Sequence, residues 1–168
     1  RILDFCDNDI DVLPELLGLH CPLLEVLLMD RNQLSALCDS IQNLNRLRRL
    51  TCAQNQLKSL PDFIGRLTSL TDLSVDRNFI SNFPMSMGNL TQLSSLAIEW
   101  EHISYIPQDI KAATAAQQIK YIGAFLSSQE TSVLDISGFG LHELPVVPTE
   151  LLDGPPIKSV NLEGNFLE

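Results

Sequence analysis

Leu24-Glu25-Val26-Leu27-Leu28-Met29-Asp30-Arg31-Asn32-Gln33-Leu34 returns, with its apolar letters and its asparagine in place, as Leu47-Arg48-Arg49-Leu50-Thr51-Cys52-Ala53-Gln54-Asn55-Gln56-Leu57 and again over residues 70–80. Asn32, Asn55 and Asn78 stand 23 residues apart. A fourth copy over residues 93–103 keeps the apolar spacing but puts Glu101 where the asparagine belongs, and outlying copies surround Asn8 and Asn165. Inside each copy the apolar letters alternate with period two, the spacing of a strand with one face buried. Leu27 and Met29 then point one way, Leu28 and Asp30 the other. A fixed period of this length means that each unit buries its apolar face only against its neighbours, so the core is a column built by stacking.

The letters after the strand describe how the chain returns. An asparagine amide carries two donors and an acceptor, so it can pair with backbone groups that the turn leaves open and form a ladder along the stack. A proline follows in most units, at Pro14, Pro61, Pro84, Pro107 and Pro145, with Cys38 in its place once. Proline presets φ for the first turn of a short helical or 3-10 return. Ile41, Ile64, Met87 and Ile110 then recur as the residues that pin the return to the column.

Register also names the residues that face outward from the strand side. One column reads Cys6, Asp30, Ala53, Asp76, Glu99, Ser137 and Glu163, and the next reads Asp7, Arg31, Gln54, Arg77, Trp100, Gly138 and Gly164. The candidate partner-binding set is therefore Trp100, Asp30, Arg31, Asp76, Arg77, Glu99 and Gln54, because aromatic and arginine side chains dominate interface energetics. Asp30 with Arg31 and Asp76 with Arg77 are either surface ion pairs or charges aimed at a partner. Trp100 is either an anchor for that partner or a cover folded over the irregular turn at Glu101.

After Ile103 the period fails, and the next matching residue, Leu141, lies 38 positions on. Between them residues 110–130 read as one amphipathic helix, with Ile119, Ile122 and Leu126 on its apolar face and Tyr121 and Phe125 beside it. Its expected job is to cover the column in place of a normal return, with a partner-binding helix as the alternative. The organisation is thus repeats over 1–109 with five strands, a helical insertion over 110–130, and two further strands over 131–168. Phe139 takes the asparagine place in the unit that follows, so both ladder positions flanking the insertion are altered. The polar caps that usually close such a column are missing at both ends, which suggests a piece of a longer array or of a multidomain protein.

Repeats of this length and lettering resemble leucine-rich repeats. The LPxxIxxL spacing is similar to the class found in Ras-suppressor, Scribble and related scaffold proteins. The segment from Ile106-Pro107 to Tyr121-Ile122 resembles the tail that closes such arrays in Roco proteins. A tail followed by a second start at Val133-Leu134-Asp135 is similar to leucine-rich repeat-containing protein 40 and its relatives. The resemblance implies an α/β leucine-rich-repeat solenoid, with a curved parallel sheet on the concave side and short helical or 3-10 returns on the convex side. It also implies assembly of signalling or polarity complexes.

Composition narrows the function. The net charge of −10 and pI near 4.6 argue against nucleic acid, whose backbone requires a clustered basic face, and fit either a basic protein partner or a solvated face kept negative for solubility. No stretch approaches the roughly 18 apolar residues of a membrane span. The four cysteines show no CxxC spacing and read as free thiols in a reducing cytoplasm. His20, His102 and His142 lie in different units without metal-ligand spacing, and no nucleophile, phosphate loop or carboxylate pair stands in a likely pocket. The expectation is a non-enzymatic module with no cofactor and no small-molecule substrate, binding protein through its concave face. Two alternatives are a regulatory or targeting segment of a larger signalling enzyme and a structural component of a large assembly.

Overall fold

The computed structural model describes residues 1–103, 105–147 and 154–168, so residues 148–153 of the last expected unit lie outside the described ones. Five three-residue strands, β1 (Ile2–Asp4), β2 (Val26–Leu28), β3 (Arg49–Thr51), β4 (Asp72–Ser74) and β5 (Ser95–Ala97), pair in parallel in chain order. The register follows the sequence period, placing Leu3, Leu27, Leu50, Leu73 and Leu96 side by side. Leu27, Leu50 and Leu73 are fully buried, as are Met29, Cys52 and Val75 two residues on. The strands line the concave side of an α/β leucine-rich-repeat solenoid, and the returns its convex side.

The returns are short because little chain is left to make them. Helix α1 (Leu17–His20) serves the first unit, and 3-10 turns at Asp39–Asn43, Asp62–Arg66 and Met85–Asn89 serve the next three. Each 3-10 turn starts after an extended residue, Cys38, Pro61 or Pro84, with ψ of 146°, 153° and 134°. Ile41, Ile64 and Met87 are fully buried beneath them. Neighbouring returns touch backbone to backbone: a Cβ on Gly65 would lie 2.2 Å from the Ser86 carbonyl oxygen, and one on Gly88 would lie 2.4 Å from the Gly123 Cα.

The ladder is built by buried amides. Asn55 donates to the carbonyls of Met29, Cys52 and Ala53 and accepts from the Leu34 N–H at 3.0 Å. Asn32 and Asn78 repeat the arrangement one unit away on either side. Each amide thus satisfies backbone groups of its own turn and of the preceding unit, which ties the turn to the stack.

Two features depart from the sequence expectation. The seven strands do not form one sheet, since β6 (Val133–Asp135) and β7 (Ser159–Asn161) pair only with each other. The insertion is two helices rather than one over 110–130: α2 (Gln108–Lys111) and α3 (Ala115–Thr131) are separated at Thr114, whose hydroxyl accepts from the Gln117 N–H in a capping box. The buried face of α3 centres on Tyr121, Ile122 and Phe125, while Leu126 sits at its margin, half-buried. Although the sheet breaks, the core does not: one apolar cluster runs from Leu13 through Ile119, Tyr121 and Phe125 to Leu134, Ile136 and Leu141.

Asn55→Ala removes the donors of three carbonyls and the acceptor of the buried Leu34 N–H. It should destabilise the fold by about 2–4 kcal/mol. Asn8 is exposed and donates to Phe5 and Cys6 alone, so Asn8→Ala should cost about 1 kcal/mol. Chemical denaturation of the two variants beside the parent measures the difference.

Candidate interaction surface

The turn that leaves each strand decides how the outward side chains are presented. Asp7, Arg31, Gln54 and Arg77 all occupy left-handed backbone, with φ of 58°, 56°, 55° and 54°. Non-glycine residues rarely do so, and here the amide of the following asparagine holds the turn closed. The same position in the last two units is Gly138 and Gly164, for which this backbone costs nothing. The long side chains of Arg31, Gln54 and Arg77 consequently stand in one exposed row beside the strands.

Trp100 leaves that row. The Glu101 side chain has no N–H to donate, so the turn lacks its amide clamp and Trp100–His102 coils into a 3-10 turn instead. The Trp100 ring lies edge-on to Phe83, with centroids 5.3 Å apart and planes at 68°, and is half-buried. It presents one flank of its ring to solvent and covers the core with the other.

The charged residues pair differently from the pattern their sequence adjacency suggested. Arg31 does not pair with Asp30; its guanidinium grips the Asp7 carboxylate of the preceding unit in a fork. That contact holds the Asp7 carboxyl below the usual carboxylate range. Asp30 instead accepts the Ala53 N–H of the following unit at 2.8 Å. Asp76 accepts the Ser74 hydroxyl at 2.8 Å, and Arg77 makes no ion pair among the described residues. The reason is geometric: left-handed backbone at Arg31 and Arg77 turns these side chains away from the carboxylates that precede them. Gln54 and Glu99 likewise have no side-chain hydrogen bond among the described residues.

Asp30, Asp76 and Glu99 share one outward column, and Arg31, Gln54 and Arg77 share the next. Trp100 stands at the β5 end of the second column, displaced from its line. Sequence reasoning missed Phe79, which is 67% exposed at the rim beside Arg77. The signal was present, since Phe79 fills the place held by Gln33 and Gln56 in earlier units. Among the described residues, no group of three or more metal-ligating side chains comes together. No helix there is long and apolar enough to cross a membrane.

Comparison with known proteins agrees with this architecture. A family described as a leucine-rich repeat region matches residues 1–116, and the chain belongs to it. No curated protein matches the chain by sequence. Among solved structures, the functional domain of InlJ from Listeria monocytogenes, described as including a cysteine ladder, is similar with a TM-score of 0.53 and 20% identity. The match covers 98% of this chain and 34% of that one, so the chain spans about a third of that protein's length. This likeness is one of fold.

Cys52 lies inside the column, and burial pushes its thiol well above the usual range. Cys21 and Cys38 are half-buried. Iodoacetamide at neutral pH should label Cys21 and Cys38 in the folded protein and reach Cys52 only with global unfolding. Mass spectrometry of peptides from native and denatured samples checks this order.

Proposed function

We propose that this leucine-rich-repeat region is a protein-interaction module that binds its partner through the concave wall of β1–β5. The observation that carries the reading is the pair of outward columns in which Gln54, Arg77 and Glu99 hold their polar groups without a partner among the described residues. The inward residues of each unit are committed to the column, and the asparagines to the ladder. Leucine-rich-repeat regions serve as interaction modules, and an open wall does not exclude water as strong electrostatic catalysis requires. The four unpaired cysteines favour a reducing compartment, and a scaffold in the cytoplasm fits that setting.

Size decides how much of the surface is needed. Four gaps of about 4.8 Å make the wall about 20 Å wide, and four consecutive residues at about 3.3 Å each make it about 13 Å deep. That is well under the roughly 800 Å² that each partner contributes to a standard interface. The partner must therefore also cover the rim, where Phe79 and the open flank of Trp100 offer apolar surface. The acidic balance of the chain favours a partner with a basic face.

Asp76→Lys with Glu99→Lys reverses wall charge while leaving the structural Asp30 carboxylate intact. Proteins retained by the parent in affinity capture should be lost from this variant, and Trp100→Ala should weaken their retention. Arg66→Glu, on the convex side, should leave them in place. Capture that survives the wall reversal and fails with the convex one would reject the concave reading.

A further inference from the structure

The solenoid contains a sheet edge in the middle of the chain. Along β1–β4 the residue after each strand donates its N–H to the next strand: Phe5 to Leu28, Met29 to Thr51, Cys52 to Ser74 and Val75 to Ala97. Ile98 is the next residue in that series, and its N–H has no acceptor among the described residues. In a parallel ladder alternate residues serve opposite neighbours. Ser95 and Ala97 serve β4, since Ser95 donates to Thr71 and Ala97 accepts from Val75. The backbone groups of Leu96 and Ile98 therefore point toward the side where β6 would stand, and β6 is not paired there.

Side-chain burial reports the same opening. Leu96 and Ile98 are half-buried, whereas their counterparts in β2, β3 and β4 are at most 1% exposed.

Two of the other open edges are closed by side chains, while the far edge of β7 carries no such cap among the described residues. At β1, Asp4 accepts the Cys6 N–H at 3.0 Å. At β6, Asp135 accepts the Ser137 N–H at 3.1 Å, and the Thr131 hydroxyl hydrogen-bonds to both backbone groups of Val133. Capping of this kind blocks strand addition. The far edge of β5 carries no such cap, and neither proline nor lysine stands in Ser95–Ala97 to discourage pairing.

We propose that the far edge of β5 takes up an extended segment of a partner protein as an additional parallel strand. The slot specifies the chemistry of that segment. Side chains facing inward must be apolar, to complete the burial of Leu96 and Ile98. Those facing outward meet Glu99 and the exposed Glu101, so they are basic. The recognised sequence alternates apolar and basic residues, with main-chain hydrogen bonds supplying affinity and the alternate side chains supplying register. This inference goes beyond the concave-wall reading and stands without it.

The test uses amide hydrogen exchange read by NMR on the whole chain. In the free protein the Ile98 amide should exchange at least about tenfold faster than those of Cys52 and Val75. A short synthetic peptide of alternating valine and lysine, at about millimolar concentration, should slow Ile98 exchange about tenfold. A copy N-methylated at alternate residues should not, and a valine–glutamate copy should bind about tenfold more weakly. Four results overturn the proposal: an Ile98 amide already protected in the free protein, exchange at Ile98 unmoved by the lysine peptide, equal binding by the N-methylated copy, or equal binding by the glutamate copy. Peptide shifts confined to Asp30 and Asp76 would overturn it as well, while leaving the concave wall as a binding face.

Discussion

A single buried amide per repeat ties together three things that are otherwise independent: the turn out of the strand, the spacing between units and the presentation of the outward side chains. Asn55 binds carbonyls on both its own unit and the one before, so the turn cannot open without also losing a contact between units. Because those groups are shielded from water, each unmade bond costs a full desolvation penalty rather than an exchange with solvent. That penalty is what holds Arg31, Gln54 and Arg77 in left-handed backbone. Where Glu101 replaces the amide the constraint lapses, the turn coils, and Trp100 leaves the row.

The same loss explains how the joint is made. With Glu101 on one side and Phe139 on the other, no amide bridges β5 to β6 among the described residues. Continuity is carried instead by apolar packing from α3. Phe139 stands edge-on to Tyr121 at 5.4 Å, with the Lys120 ammonium 5.2 Å from its ring centre, so the residue that displaced the asparagine became part of the cover. Tyr121, Ile122 and Phe125 are buried in the same apolar cluster as the strand leucines. Asp109 adds a polar tie, accepting from both the backbone N–H and Nδ1 of His142. Hydrophobic burial is non-directional, so it can join two stacks whose strands do not pair.

What the chain disclosed in its letters follows the same division. Inward residues such as Leu27, Cys52 and Val75, the register of β1–β5 and the returns after Pro61 and Pro84 were legible because each depends on local spacing repeated at a fixed interval. The partner of Arg31 was not, since it depends on which way a left-handed residue aims its side chain across the stack to Asp7. The break at Thr114 was missed for a different reason. Alanine-rich letters on both sides suit one helix, and only the Thr114–Gln117 capping box marks a new start. The two-sheet outcome was hidden as well, because a ladder with altered letters at Glu101 and Phe139 does not say whether the strands bend together or separate.

Charge on the wall must be counted by what each group is already bound to. Asp30 spends an oxygen on Ala53, Asp76 on Ser74, and Asp7 is closed by Arg31. Asp4 is bound to the Cys6 N–H, and Asp135 to the Ser137 hydroxyl and N–H, and these bonds hold both carboxyls below the usual range. Much of the acidity that register assigns to the concave face is therefore structural, compensating N–H groups that a sheet of three-residue strands leaves open. The polar side chains left uncommitted, Gln54, Arg77 and Glu99, belong to β3, β4 and β5. Phe79 and Trp100 lie beside that same end. A partner guided by unsatisfied groups and exposed apolar surface would thus concentrate its contacts at the β3–β5 end, next to the joint, and touch β1 and β2 least.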